Sequence, residues 1–209
     1  MAFISSGTTI IDNGAFQASL GSKILIKEIT ASSSANISFV DGTADVVLDS
    51  TYPIYEFEFI NIHPSANGNN FLFQGDTLSN TNYNQQITST NFRAYHDEAG
   101  SGAGISYQSN WDQANGTAFQ TLTEDQLGGD ADQSLCGNLH IFNPSSTTFV
   151  KHFIARTFTP KNAAGQVFVI NAYVAGYFNT TTALNKVQFK MSSGNIDDGK
   201  IKLYGIKDS

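Results

Sequence analysis

The chain has 209 residues, enough for one large β-domain or two small ones, and a core of that size needs no disulfide or metal. Its net charge of −7 and the lack of any Lys/Arg cluster argue against binding a nucleic-acid backbone, and its single cysteine, Cys136, excludes an internal disulfide. No stretch approaches the about 18 apolar residues of a membrane span, and the N-terminus lacks the basic and apolar regions of a signal peptide. We therefore expect neither a nucleic-acid nor a membrane partner.

The composition favours a protein that works through broad contacts. Charged residues make up only 14% of the chain, whereas about 25% is usual, and the 16 Phe and 8 Tyr make it rich in aromatic rings. One sandwich would struggle to hide that much apolar area. We therefore expect a homo-oligomer, and a trimer is the form that we predict.

Residues 1–22 are the first unit in chain order. The apolar pairs Phe3-Ile4 and Ile10-Ile11 have little to pack on locally, so the segment is interpreted either as an N-terminal arm that docks on a neighbouring subunit or as a plain first strand. Residues 23–209 are predicted to form a single domain, because no linker, repeat or charge block divides them.

Beyond residue 22, short apolar runs alternate with turn clusters, which is the pattern of β-strands. In the run 54–62, Tyr55 and Phe57 fall on one face, and Glu56 and Glu58 fall on the other. About ten runs of this kind are predicted to be strands. They cover residues 23–30, 35–40, 54–62, 70–74, 89–95, 138–142, 148–158, 166–178, 186–191 and 200–206.

The last predicted strand, 200–206, alternates as regularly as any. Ile201 and Leu203 fall on one side and Lys202 on the other, so the first two are predicted to be buried. Asp198-Gly199 comes directly before it, and this dipeptide supplies the positive φ of a tight hairpin turn. The sequence therefore predicts that the domain closes with a hairpin.

These signals predict an all-β fold, an antiparallel β-sandwich of jelly-roll-like form with about ten strands. A turn or two of helix at 121–129 is the one expected exception, with Thr123 as its cap. The region 97–137 is rich in Gly, Asp, Gln and Ser, and we interpret it as long loops with one or two short strands. Loops on a rigid sandwich are where contact specificity usually lies.

Catalytic signatures are weak along the whole sequence. There is no nucleophile elbow, and His96-Asp97-Glu98 lacks the cysteines that a zinc deaminase needs beside its H-x-E motif. Glu56 and Glu58 would lie about 7 Å apart at Cβ, which loosely suits glycoside hydrolysis, but a solvated strand face is the explanation that we prefer. We expect no enzyme activity, no catalytic residue and no cofactor.

Two weak ligand sites remain as hypotheses. Asp41, Asp45, Asp130 and Asp132 place carboxylates in Gly-containing loops, where calcium would need six to eight oxygens, but no EF-hand pattern is present and we expect metal to be dispensable. Tyr107 and Trp111 could stack on a sugar ring or simply anchor their loop.

Four segments carry a resemblance. They are "YVAGYFNTTTALNKVQFKMSSGNIDDGKIKLYGI" (173–206), "ITSTNFRAYHDEAG" (87–100), "GTAFQTL" (116–122) and "HIFNPSSTTFVKHFIAR" (140–156). Together they cover about half of the chain and resemble virion structural proteins of marine tailed bacteriophages. The resemblance implies a decoration or fibre-like β-sandwich, brings no catalytic residue with it, and does not distinguish head from tail.

Three functions follow as hypotheses. The first is a non-enzymatic structural protein of a phage particle, a capsid decoration or a tail or fibre component, assembled in the host cytoplasm with other virion proteins. The second is a host-surface or glycan-binding adhesin module that uses the 97–137 loops. The third is a glycan-cleaving enzyme. We favour the first, because the chain is all-β, poor in charge and without a convincing active site.

Overall fold

Two antiparallel β-sheets pack face to face, and they contain every strand that the sequence predicts. The computed structural model describes residues 3–5, 8–12, 15–16, 22–124, 127–163 and 166–208. Within these residues there is no helix, and the two sheets do not close into a barrel. The prediction of an all-β antiparallel sandwich is confirmed.

The strands are numbered in the order in which they follow one another along the chain. They are β1 (Phe3–Ser5), β2 (Thr8–Asp12), β3 (Ala15–Phe16), β4 (Lys23–Thr30), β5 (Ile37–Val40), β6 (Ile54–Pro64), β7 (Phe71–Asp76), β8 (Ile87–Asp97), β9 (Ala103–Tyr107), β10 (Gln120–Thr121), β11 (Leu135–Phe142), β12 (Lys151–Ala163), β13 (Gln166–Phe178), β14 (Lys186–Met191) and β15 (Ile196–Ile206).

The two sheets are unequal. Eight strands form the larger sheet in the order β4-β15-β6-β11-β12-β13-β8-β9, and four form the smaller in the order β10-β7-β14-β5. A jelly roll has eight strands in two Greek keys, so this sandwich of twelve is larger and less even than the expected form. The short strands β1, β2 and β3 pair with one another in a separate sheet, and docking of segment 1–22 on a neighbouring subunit stays a prediction.

The region 97–137 contains the two short strands β9 and β10, as expected. The helix predicted at 121–129 is wrong for residues 121–124 and 127–129, and residues 125 and 126 lie outside the described part. Instead of capping a helix, the Thr123 hydroxyl donates to the Asn70 side chain at 3.2 Å, and Leu127 bridges to Asn69. The segment runs alongside β7 because that strand offers it backbone partners.

The hairpin turn predicted at Asp198-Gly199 is also wrong, because β15 continues through these residues. Successive strands β14 and β15 belong to different sheets, so the chain crosses between them at 192–195, where Gly194 has φ +68°. Gly199 has φ +112° and lies where the register between β15 and β6 shifts. The extra residue at this shift is on β6, where Asn61 has φ +51°, so Gly199 lies opposite a β-bulge inside a strand.

Phenylalanine rings from both sheets fill the core. The Phe189 ring of the smaller sheet lies 5.1 Å from Phe57, 5.3 Å from Phe59 and 5.7 Å from Phe71, measured between ring centroids. Burying one such ring fully stabilises the fold by about 1.5–3 kcal/mol. A one-residue slip of β6 would turn its rings to solvent, so the core fixes the register and thereby decides which side chains face outward.

Candidate functional site

The side of the larger sheet that points away from the core, which we call the outer face, holds most of the exposed apolar side chains. Among the described residues ten large apolar side chains are exposed, and six of them lie on the outer face of β12, β13, β8 and β9. We call this area the apolar half-face. The six are Phe92, Ile105, Tyr107, Ile154, Phe158 and Val169.

An aromatic row crosses the apolar half-face. Tyr107 on β9 lies directly opposite Phe92 on β8, and the Phe92 ring stacks on Tyr173 of β13 with centroids 4.9 Å apart. The Arg156 guanidinium on β12 lies 5.3 Å above the Tyr173 ring, a cation–π contact. The aromatic row therefore covers three neighbouring strands, and Arg156 extends it onto a fourth.

The remaining outer face, on β4, β15, β6 and β11, is charged and internally paired. Lys23 lies 2.9 Å from the Glu56 carboxylate, and Lys200 lies 2.8 Å from that of Glu28. The hydrogen bond from Lys200, with its nearby charge and that of Lys202, holds the pKa of Glu28 below its usual range. Within each pair, the positive and the negative charge neutralise each other.

Glu56 differs from the solvated residue that the sequence suggested. It is only 7% exposed, and its carboxylate accepts from Asn138 at 3.3 Å besides pairing with Lys23. The His140 ring lies 3.7 Å from the same carboxylate. Glu56 is thus enclosed by its own partners on the sheet surface.

A groove of about 570 Å³ lies on the border between the two halves of the outer face. Its outer lining combines polar and aromatic groups, among them Glu58, Asn138, Arg156, Phe158 and Asn171. Arg156 Nε donates to the Asn171 amide oxygen at 3.0 Å, which fixes both side chains. Planar polar groups beside an aromatic ring are the chemistry that binds a sugar.

The two predicted ligand-contact residues lie in different settings. Tyr107 is exposed and belongs to the aromatic row, and its hydroxyl donates to the Asp112 carboxylate, which raises the pKa of Tyr107. Trp111 is half-buried, and its backbone carbonyl accepts from the Gln120 side chain at 2.9 Å. The structure therefore places Tyr107 in the candidate contact surface and Trp111 in the loop behind it.

Buried glutamines hold the loop that contains Trp111. Gln74 has no exposed surface, and its amide nitrogen donates to backbone carbonyls of Gln85 at 3.1 Å and Ala118 at 3.0 Å. Gln120 is equally buried and accepts from the Ser89 hydroxyl at 2.6 Å. The loop is thus packed against the sandwich. Sequence reasoning missed these residues, because an amide side chain looks like polar surface.

The four acidic calcium candidates lie in two different loops. Asp41 and Asp45 follow β5, whereas Asp130 and Asp132 precede β11. Asp41 accepts from the Leu48 backbone N–H at 2.9 Å. The described residues contain no group of three or more His, Cys, Asp or Glu side chains arranged to hold a metal ion, so the four are not gathered into one site.

No family model, curated protein or solved structure matches this chain. Among the described residues there is also no helix with the length and hydropathy of a membrane span. A functional proposal must therefore rest on the residues of the chain itself, and the outer face holds most of the exposed large apolar side chains.

Proposed function

We propose that this chain is a non-enzymatic structural protein that acts through subunit–subunit contacts of its apolar half-face. The observation behind the proposal is the concentration of six exposed large apolar side chains on four neighbouring strands. Scattered apolar residues are ordinary on a protein surface, but a contiguous patch marks an interaction site. The occupant that we propose is another copy of the chain.

The charge distribution supports self-association. By strand register, the described outward positions of β12, β13, β8 and β9 contain one side chain that is charged at neutral pH, Arg156. Depletion of charge is typical of the core of a protein interface. Two copies with a net charge of −7 each can therefore approach through this half-face without placing acidic groups against one another.

The setting that we propose is a bacteriophage particle, with the protein as a capsid decoration or a tail or fibre component. Three of the segments that resemble virion structural proteins contain strands of the half-face. Segment 87–100 contains β8, segment 140–156 contains the first half of β12, and segment 173–206 contains the second half of β13. The strands of the half-face thus overlap the resembling segments. Mass spectrometry of purified particles of the encoding phage tests the setting: the protein should be an abundant component, and its absence would contradict the proposal.

Light scattering of the purified full chain tests self-association. The parent should be oligomeric at micromolar concentration, and Phe158→Ser combined with Ile154→Thr should lower the mass of the oligomer. Leu78→Ser removes an exposed apolar side chain outside the half-face and serves as the control. A monomeric parent, or equal behaviour of the two variants, would contradict the role of the half-face.

A second candidate function is glycan binding, favoured by the border groove with its amide, guanidinium and aromatic lining. It would place the adhesin site on the sheet face, two strands away from Tyr107 on β9. Calorimetry with bacterial surface polysaccharide tests it. Saturable binding that Arg156→Ala weakens would support a glycan site, whereas no binding by the parent would remove it.

A further inference from the structure

Strand β9 is an open edge of the larger sheet. It is the last strand in the order, and it pairs with β8 alone among the described strands. Two hydrogen bonds mark the ends of the pairing between β9 and β8. Asp97 N–H donates to the Gly102 carbonyl at 2.9 Å, and Gln108 N–H donates to the Asn91 carbonyl at 2.8 Å. Antiparallel bonding alternates along a strand, so the even-numbered residues from 102 to 108 bond to β8.

The odd-numbered residues of β9 therefore point their backbone groups away from the sheet. They are Ala103, Ile105 and Tyr107, and each has one N–H and one C=O. Among the residues that the structure describes, none of these groups has a hydrogen-bond partner. A row of this kind is a template for another strand.

The chain protects this edge less than the opposite one, because the five-residue length of β9 is its only protection. Natural proteins blunt edge strands with charge, proline, bulges or shortness. At the other edge of the same sheet, β4 has Lys23, Lys27 and Glu28 within eight residues. The segment 101–110, "SGAGISYQSN", has no charged residue and no proline, and the pairing of β9 with β8 shows no register shift.

The side chains on the open edge are also apolar and exposed. Ile105 is 77% exposed and Tyr107 is 55% exposed, and both lie on the outer face beside Phe92. A strand added at this edge would bury them and would extend the apolar half-face without interruption. The backbone and side-chain observations therefore indicate the same contact.

We propose that β9 pairs antiparallel with β9 of a second copy, about a two-fold axis that passes beside Ile105. This inference rests on the proposed function, self-association of the chain, and adds a second contact at the sheet edge to the contact of the half-face. We call this β9–β9 contact the seam. The axis places Ile105 opposite Ile105 of the second copy, and Tyr107 opposite Ala103. Because the three residues are symmetric about Ile105, every open N–H meets an open C=O, and each large ring faces a small side chain.

A second copy is the occupant that we propose, because the side-chain pairs that the axis brings together, Ile105 with Ile105 and Tyr107 with Ala103, carry no charge and place no two large rings against each other. An isologous contact needs the same residues to satisfy one another across the axis, and Ala103, Ile105 and Tyr107 do so. The pairing joins the two larger sheets into one and keeps both apolar half-faces on the same side. It forms dimers, so the trimer expected from composition would need another contact surface.

Variants of the full chain test the seam. Ile105→Lys adds a charge at an exposed position and should raise the dimer dissociation constant about tenfold or more while the monomer stays folded. Leu25→Lys is the matched control, because Leu25 is 52% exposed on the outer face of the opposite edge strand. Light scattering over a concentration series measures both.

Cross-linking gives a second, independent readout. In a Cys136→Ser background, Ile105→Cys should be joined to its counterpart by a short bis-maleimide, whereas Leu25→Cys should not. A dimeric parent with both results supports the seam. An oligomer that Ile105→Lys leaves intact, and in which Ile105→Cys does not cross-link, overturns the seam but supports self-association through another surface. A monomeric parent at micromolar concentration overturns the seam and the proposed function together.

Discussion

Gly199 on β15 lies so close to Asn61 on β6 that a Cβ at Gly199 would come within 2.5 Å of the Asn61 carbonyl oxygen. Both residues have positive φ, +112° for Gly199 and +51° for Asn61. Together they form the bulge at which β15 changes its register against β6. The bulge lets β15 continue into its regular last part, which includes the buried Leu203.

Gly199→Ala should therefore lower the free energy of unfolding by about 2 kcal/mol or more, because both the strained φ and the contact with backbone resist a side chain. Gly42→Ala is the matched control, since Gly42 also has positive φ, at +72°, but a Cβ at Gly42 would have no atom within 4 Å. The control should lose about 1 kcal/mol. Urea melts compare the two, and equal losses would show that the close contact at Gly199 relaxes without cost.

The closing strand gives a second prediction. Leu203 has no exposed surface, and Leu203→Asp would bury a charge without a partner, at a cost of several kcal/mol. Lys202→Thr on the same strand removes only a 3.5 Å contact with Glu28 and should change stability by less than about 1 kcal/mol. Soluble yield and thermal melts measure both. A folded Leu203→Asp protein that melts like the parent would mean that this strand is dispensable.

Lys151 gives a prediction about pH. It is fully buried, and its Nζ donates to the carbonyls of Phe149 at 2.8 Å and Thr180 at 3.1 Å. Burial lowers the pKa of Lys151 below the usual value of about 10.4. Between the lowered pKa and the usual one, the unfolded chain binds more protons than the folded chain, so the Lys151 contribution to stability rises with pH in that window.

The measurement compares the parent with Lys151→Met by urea melts from neutral pH to pH values near the usual lysine pKa. The stability of the parent relative to Lys151→Met should increase as pH rises. Lys27→Met on the edge strand β4 controls for the loss of one lysine and should show no comparable trend. A constant difference between parent and Lys151→Met would show that Lys151 does not change its protonation on folding.

Strand positions could be predicted from the sequence because one face of each strand is buried. The alternation of Phe57 with Glu56 and Glu58, or of Leu203 with Lys202, directly reports which side meets the core. The bulge at Gly199 could not be predicted in the same way. Asp-Gly supplies the same positive φ to a hairpin and to a bulge, and the choice depends on which sheet receives the next strand.

The candidate site was only partly predictable, because it is assembled from strands that are distant in sequence. Tyr107 was identified, but its neighbours Phe92 and Tyr173 join it only through the pairing of β9 with β8 and of β8 with β13. The open edge at Ile105 was equally hidden, since a short sequence does not reveal whether a strand has one neighbour or two.

The last prediction concerns metal. Asp41 accepts a hydrogen bond from the Leu48 backbone, so its carboxylate already has a protein partner in the loop after β5. Asp41→Ala should lower stability by about 1 kcal/mol, the usual net value of one hydrogen bond. Addition of calcium or of a chelator should shift the melting temperature of parent and variant by no more than experimental error. A calcium-dependent rise in the parent that Asp41→Ala abolishes would identify a calcium site in this loop and would refute the expectation that metal is dispensable.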